Sequence, residues 1–380
     1  MRRPHTAATL TAAVLAALLA SPALAASPTI HAHRGGTVTN GKPTSAEESL
    51  RAYKNAARDG FTLEVDAKLT EDGVPVAIHD ATLDRTTNCS GEVRTFTLAE
   101  LAGCRTDVPA KSARIITIQS LLEFAKRAGS EVNLEIKNVP TDPDYDTTPA
   151  YANRVMDAVI ASGIPRKQLI VQSFIPANLD VALQRLPGVR TSLLALQSFN
   201  ELFLQAAADR HYDLISPEWP VTADYVTRAH SMGLDVAPFT LNAAADVRAA
   251  RKARVDALIT DDPLMAGRAL GLRPPRFFTA TAFIDRSRLV ATGDLLTPRG
   301  VTARQGCRGT ITMRVMIGDR PTRTVRGRLN RNCEFFFGTH RTPPRLGPPL
   351  VTVRFDGNAK LLPRLVGPFI AQLKPPVFNP

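Results

Sequence analysis

Little in this chain is able to cross a bilayer. Its one long apolar run, Ala7 to Ala20, is shorter than the ~20 residues a spanning helix needs. It lies between Met1-Arg2-Arg3 and the small-residue stretch Ser21-Pro22-Ala23-Leu24-Ala25-Ala26. Residues 1–26 therefore read as a secretory signal peptide, and the mature chain is expected to be soluble, either secreted or held at the cell surface. Cysteine is equally scarce: four residues, none at Cys-x-x-Cys spacing, which argues against a structural zinc site. In an exported chain such cysteines form bridges. Closeness in sequence favours Cys89 with Cys104 and Cys307 with Cys333 over the other two connectivities.

Acid is nearly missing from the C-terminal end. Residues 273–380 hold 5 Asp+Glu against 19 Lys+Arg, whereas residues 27–272 hold 30 against 26. Net charges of about +14 and about −4 predict two regions with different tasks. The basic region suits an anionic partner, and charge alone does not say which.

Between Thr29 and Thr260 short apolar runs alternate with amphipathic stretches, the pattern of a parallel α/β protein. Strands are predicted at 29–33, 62–67, 75–79, 132–137, 169–174, 191–196, 214–217, 235–240 and 257–260. Helices are predicted at 47–58, 118–127, 149–162, 176–186, 200–209, 223–232 and 243–251. That is one strand too many for a (β/α)8 TIM barrel, and no helix separates the second from the third. Those two are expected to form a hairpin across Glu71-Asp72-Gly73. A doubly wound open sheet is the alternative. The barrel, over residues 27–272, is favoured because the unusual polar residues sit at the C-terminal ends of several different strands. Residues 81–116 read as a small insertion over that face. Pro274-Pro275 marks a linker, and residues 310–317, 322–329, 333–337 and 350–355 alternate as strands do, so 273–380 reads as a small all-β, sandwich-like domain.

Glu64 and Asp66 are two residues apart on one strand, hence on one face. Such a pair either raises its own pKa values or takes a cation, and a hard divalent ion such as Ca2+ or Mg2+ suits oxygen ligands. Glu135-Ile136-Lys137 repeats the arrangement, offering a third carboxylate and a fixed positive charge. Either expected hairpin register sets His79 opposite Glu64 or Asp66, as a proton carrier. His33 and Arg34 end the first strand; Arg34 has the planar fork that grips a phosphate oxygen. His31, deeper in that strand, is expected to be structural.

The run His33-Arg34-Gly35-Gly36, Glu64-Val65-Asp66, Thr70-Glu71-Asp72-Gly73-Val74-Pro75-Val76-Ala77-Ile78-His79-Asp80 and Leu83-Asp84-Arg85-Thr86-Thr87 closely resembles the glycerophosphodiester phosphodiesterase family. The likeness continues through Glu135-Ile136-Lys137, Gln172-Ser173-Phe174, Phe239-Thr240-Leu241-Asn242 and Ile259-Thr260-Asp261. The family commonly has Pro-Glu-Asn-Thr where this chain has Ala46-Glu47-Glu48-Ser49, and Trp where it has Phe239. The resemblance implies a TIM barrel with one divalent ion on Glu64, Asp66 and Glu135. It also implies His33 and His79 as acid and base, and Arg34 and Lys137 on the phosphate of a small-molecule or lipid-derived phosphodiester. A lipid phosphodiesterase of the phospholipase D or sphingomyelinase D kind is the nearest alternative, and a non-catalytic surface-binding protein a more distant one. For an exported phosphodiesterase, an anionic cell-wall polymer or membrane surface fits the basic domain, and nucleic acid is not expected.

Overall fold

The parallel strands are nearly all buried, because helices cover their outer faces and side chains fill the space they enclose. The computed structural model of the chain describes residues 27–108, 113–285, 288–318, 320–339 and 349–373; the expected signal peptide lies outside them. In chain order the barrel strands are β1 (Thr29–Ala32), β2 (Thr62–Leu69), β4 (Val132–Ile136), β5 (Leu169–Ser173), β6 (Arg190–Ala195), β7 (Leu214–Pro217), β8 (Asp235–Val236) and β9 (Ala257–Thr260). They pair in the order β8-β7-β6-β5-β4-β2-β1-β9. Single hydrogen bonds join the two ends: Asp256 N–H to Val236 O at 2.9 Å, Ile259 N–H to Pro238 O at 3.0 Å and Leu241 N–H to Ile259 O at 2.9 Å. The expected strand at 235–240 is therefore a short one, since Pro238 has no N–H for a ladder.

Eight helices complete the units: α1 (Leu50–Arg58), α2 (Ile118–Ala128), α3 (Ala150–Ser162), α4 (Pro176–Arg185), α5 (Asn200–Asp209), α6 (Ala223–Ser231), α7 (Ala244–Ala253) and α8 (Pro263–Ala269). The first begins later than its amphipathic pattern suggests. Ser49 caps it by accepting the Ala52 N–H, which leaves Glu47 and Glu48 outside the helix. The last, too short to be seen by periodicity, has Pro263 in its first turn and Asp262 as its cap.

The extra strand, β3 (Pro75–Ala77), runs antiparallel to β2 with Ala67 opposite Ala77 and Lys68 opposite Val76. This register corrects the expected pairing. Continued, it would put His79 opposite Val65, on the wrong face; instead the strand ends at Ala77 and the histidine leaves the ladder. Between β3 and α2 the insertion forms a lobe with its own core of Val76, Ile78, Leu83, Val93, Leu101 and Cys104, closed by the Cys89–Cys104 disulfide.

The C-terminal region packs two sheets around Phe278, Leu289, Ile311, Met313, Val353 and Phe355. One holds β10 (Phe277–Phe278), β11 (Thr281–Asp285), β12 (Arg288–Leu296), β15 (Glu334–Gly338) and β18 (Gln372–Leu373). The other has the order β14-β13-β16-β17, from β13 (Thr310–Ile317), β14 (Arg320–Arg328), β16 (Leu350–Phe355) and β17 (Arg364–Ile370). All pairs are antiparallel except β11 with β18. The strands at 281–285, 288–296 and 364–370 were not apparent in the sequence, where Gly293-Asp294 and Gly367-Pro368 break the alternation. Cys307 and Cys333 form the second disulfide.

This region closes the end of the barrel where the strands begin. Arg314 donates to Lys126 O at 3.2 Å and to Gln168 Oε1 at 2.8 Å, Thr352 donates to Arg127 O at 3.0 Å, and Arg364 pairs with Asp59. The strand ends that carry the polar residues face the other way.

Candidate active site

The first strand ends in a tight turn, His33–Gly35, that only glycine allows. Arg34 is left-handed at φ 51°, Gly35 has φ 90°, and a Cβ on Gly35 would stand 2.6 Å from the Ala52 side chain. The turn aims the Arg34 amide at Glu64, whose Oε2 accepts its N–H at 2.8 Å. Glu64 and Asp66 lie on β2, and Asp66 is the cross-strand neighbour of Glu135 on β4. All three are buried, and each offers an oxygen within 4.8 Å of the others.

Three carboxylates this close and this dry cannot all ionise unaided. Burial pushes Glu64 well above the usual carboxylate range, with Asp66 and Glu135 adding to the shift. Burial likewise raises Glu135 to about 8, against the opposing pull of Lys137. Asp66 goes the other way: burial would raise it, but Lys137, His79 and Arg34 together hold it well below its ordinary value. Lys137 Nζ lies 3.0 Å from Glu135 Oε1 and 3.5 Å from Asp66 Oδ1, and Arg34 Nε is 3.5 Å from Asp66 Oδ2. Asp66 Oδ2 is buried and accepts no hydrogen bond. An unsatisfied buried oxygen within an all-oxygen cluster fits a hard divalent cation.

Each histidine is held by a carboxylate. His33 Nδ1 is 2.6 Å from Asp261 Oδ1, whose other oxygen accepts the Asn242 side-chain N–H at 2.5 Å. His79 Nδ1 is 2.6 Å from Asp80 Oδ1, and Arg85 bridges Asp80 to Glu47. An acceptor at Nδ1 places the proton there and leaves Nε2 free to exchange one. Burial lowers the His79 pKa despite Asp66 and Asp80. His33, Arg34, Glu64, His79, Glu135 and Lys137 line one cavity of about 160 Å3, whose other wall is Phe174, Leu194, Phe239 and Ile259. A larger cavity of about 720 Å3 lies against Thr29, Phe61 and Pro363 at the opposite end of the barrel, away from these groups.

Every predicted site residue of the barrel thus meets at one place, the four cysteines lying elsewhere as two bridges. His31 is buried and joins an inner polar chain: Asn133 Nδ2 contacts His31 Nδ1 at 3.3 Å and Gln172 Oε1 at 2.8 Å, and Gln172 Nε2 donates to Glu64 Oε1 at 2.8 Å. Burial lowers its pKa to about 3, so it stays neutral, as expected of a structural histidine. Sequence reasoning missed the roles of Asp261, Asp80, Gln172 and Glu48. Glu48 Oε1 accepts the Asp66 N–H at 3.2 Å while Oε2 accepts the Tyr53 hydroxyl. Asp80 adjoins His79 in sequence and could have been found; the other three depend on contacts between distant strands and loops.

Comparison with known proteins agrees with this geometry. The model of the Glycerophosphoryl diester phosphodiesterase family matches residues 33–265. A glycerophosphodiester phosphodiesterase of Caldanaerobacter subterraneus subsp. tengcongensis is 29% identical over 237 residues, 61% of this chain and 93% of that protein. Among solved structures, a putative glycerophosphoryl diester phosphodiesterase of Silicibacter pomeroyi is similar with TM-score 0.56 and 23% identity, over 64% of this chain and 92% of the other. An Oleispira antarctica phosphodiesterase in complex with the product sn-glycerol-3-phosphate is similar with TM-score 0.53 and 21% identity, over 64% and 96%. Barrel and site define a phosphoric diester hydrolase. The chain belongs to the glycerophosphoryl diester phosphodiesterase family.

Proposed function

We propose that this enzyme is exported and hydrolyses glycerophosphodiesters with the help of one divalent ion, releasing glycerol 3-phosphate and an alcohol such as choline or ethanolamine. The observation that carries the reading is one cavity lined by Glu64 and Glu135 of a cluster of three buried carboxylates, by two cationic side chains and by two carboxylate-held imidazoles. Glu64, Asp66 and Glu135 would hold the ion, Ca2+ or Mg2+, which when bound offsets negative charge on the phosphoryl oxygens. Arg34 and Lys137 place two further positive charges there. One of the imidazoles of His33 and His79 takes a proton from the attacking hydroxyl, that of the neighbouring glycerol carbon or of water. The other gives a proton to the departing alkoxide. Asp261 and Asp80 fix both rings with Nε2 available for these transfers.

Export is supported by the pattern of residues 1–26 and by two disulfides, which persist in oxidising compartments. The basic C-terminal domain is read as an attachment to an anionic wall polymer or membrane surface. Its position at the far end of the barrel supports that role, since it leaves the catalytic mouth open. A panel of glycerophosphocholine, lysophospholipid, sphingomyelin and a polyglycerol phosphate, each with and without EDTA, tests the reading. Glycerophosphocholine turnover that chelation stops is expected; turnover indifferent to EDTA removes the metal from the mechanism.

A further inference from the structure

We propose that the cleft between the floor of the barrel and the C-terminal domain is a second binding site, which takes a linear polyol phosphate polymer and does not hydrolyse it. The inference rests on the reading of the basic region as an attachment to something anionic, and it names the place and the partner.

The cleft, of about 720 Å3, is several times larger than the catalytic cavity of about 160 Å3. Its size and its place between two domains are those of a ligand site. Phe61 and Leu270 bring apolar surface to its lining from the barrel, and Leu361 and Pro363 from the C-terminal domain. The same lining holds three cations from three elements: Arg251 in the last turn of α7, Arg354 on β16 and Lys360 on the loop that follows. That loop is fixed. Asn358 Oδ1 accepts the Lys360 and Leu361 N–H groups at 2.8 and 3.0 Å, Lys360 O accepts the Arg273 N–H at 3.0 Å, and Pro363 leaves no room for a side chain at Gly60. The cleft is therefore formed before a ligand arrives, which spares the cost of ordering it.

Its cations are poorly neutralised. Arg251 donates to Leu270 O at 2.9 Å, a main-chain carbonyl that carries no charge. Arg354 Nε is buried without a hydrogen-bond acceptor and stands 3.6 Å from Asp356 Oδ1. Among the described residues Lys360 pairs with no carboxylate. Two acids share the lining, and both are engaged elsewhere: Glu131 accepts the Thr62 hydroxyl at 3.1 Å and lies 3.6 Å from Arg190, and Asp356 accepts the Thr312 hydroxyl at 2.8 Å.

Three under-paired cations and an apolar wall around one recess suit an organic phosphate: the cations take its oxygens and the wall takes its carbon skeleton. A recess between two domains admits a chain but not the flat face of a bilayer, which favours a linear polymer over a membrane. Neither an imidazole nor a carboxylate cluster lines the cleft among the described residues, so it holds the polymer without cleaving it.

The test is calorimetric titration of the full chain in its His79→Ala form, which keeps the polymer intact, with a short oligo(glycerol phosphate) at low salt. Two sites are expected, one at the catalytic mouth and one at the cleft. Adding Arg251→Ala and Lys360→Ala, both at exposed positions, should weaken one of the two by about tenfold, the worth of two ion pairs, and leave the other within about twofold. Arg288→Ala with Arg331→Ala, exposed positions of the same domain outside the cleft, should change neither by more than about twofold. Thermal melting shows whether each variant is folded. Unchanged binding after loss of Arg251 and Lys360, or equal losses in the two double variants, would overturn the proposal. Salt-sensitive binding to phosphatidylglycerol vesicles without a second polymer site would also overturn it while leaving the attachment reading in place. Binding at the mouth alone, with no binding to vesicles either, would count against the attachment reading itself.

Discussion

His33 and Asp261 stand 228 positions apart in the chain, yet His33 Nδ1 lies 2.6 Å from Asp261 Oδ1. The contact spans the two neighbouring strands β1 and β9 and makes Asp261 a positioning residue. Asp261→Asn should lower kcat by about 100-fold, within the usual worth of a positioned acid or base, with little change in KM. Circular dichroism and thermal melting should match the parent; an unchanged kcat would show that the ring needs no such support.

His33→Ala and His79→Ala remove the two imidazoles proposed to carry protons. Each should cost about 10²–10⁴ in kcat, and neither should unfold the protein, because both rings border the cavity rather than the core. Full activity in either variant takes that histidine out of the chemistry.

The carboxylate cluster makes the metal-free protein sensitive to alkaline pH. Glu135 has its pKa raised from 4.5 to about 8, and Glu64 and Glu48 are raised as well. A carboxyl raised on folding binds more protons folded than unfolded, so its contribution to stability falls as pH rises through that window. His79, lowered by burial, has the opposite slope, but only below its ordinary value of 6.5. Melting temperature in EDTA should therefore fall from pH 7 to pH 8, and Ca2+ or Mg2+ should flatten the slope. A melting temperature that rises over this range would contradict the account.

Removal of residues 273–380 leaves every cavity residue in place but strips Leu362 from the barrel core, where it is 2% exposed. The truncated protein should melt lower, keep its turnover of a soluble diester per folded molecule, and lose salt-sensitive binding to anionic vesicles or wall polymer. Unchanged surface binding would show that the basic domain is not the attachment.

The fold was legible where period and polarity agree. Nine apolar runs gave the barrel and its hairpin, and the cluster of Glu64, Asp66 and Glu135 was legible because strand parity puts the first two on one face and the barrel order brings the third strand beside them. His79 was placed correctly at the site but for the wrong reason: the register set by Ala67 and Ala77 would have turned it away, and the end of β3 brings it back. The hold of Gln172 on Glu64 and of Glu48 on the Asp66 amide was not legible, since each joins side chain to partner across elements that sequence spacing does not relate. The position of the basic domain was invisible for the same reason.

A divalent ion on Glu64, Asp66 and Glu135 is the centre of the proposed hydrolysis. Glycerophosphocholine turnover should stop in EDTA and return on adding Ca2+ or Mg2+, and Asp66→Asn should not respond to either ion. Turnover that persists through chelation, or an Asp66→Asn variant as active as the parent, would contradict it.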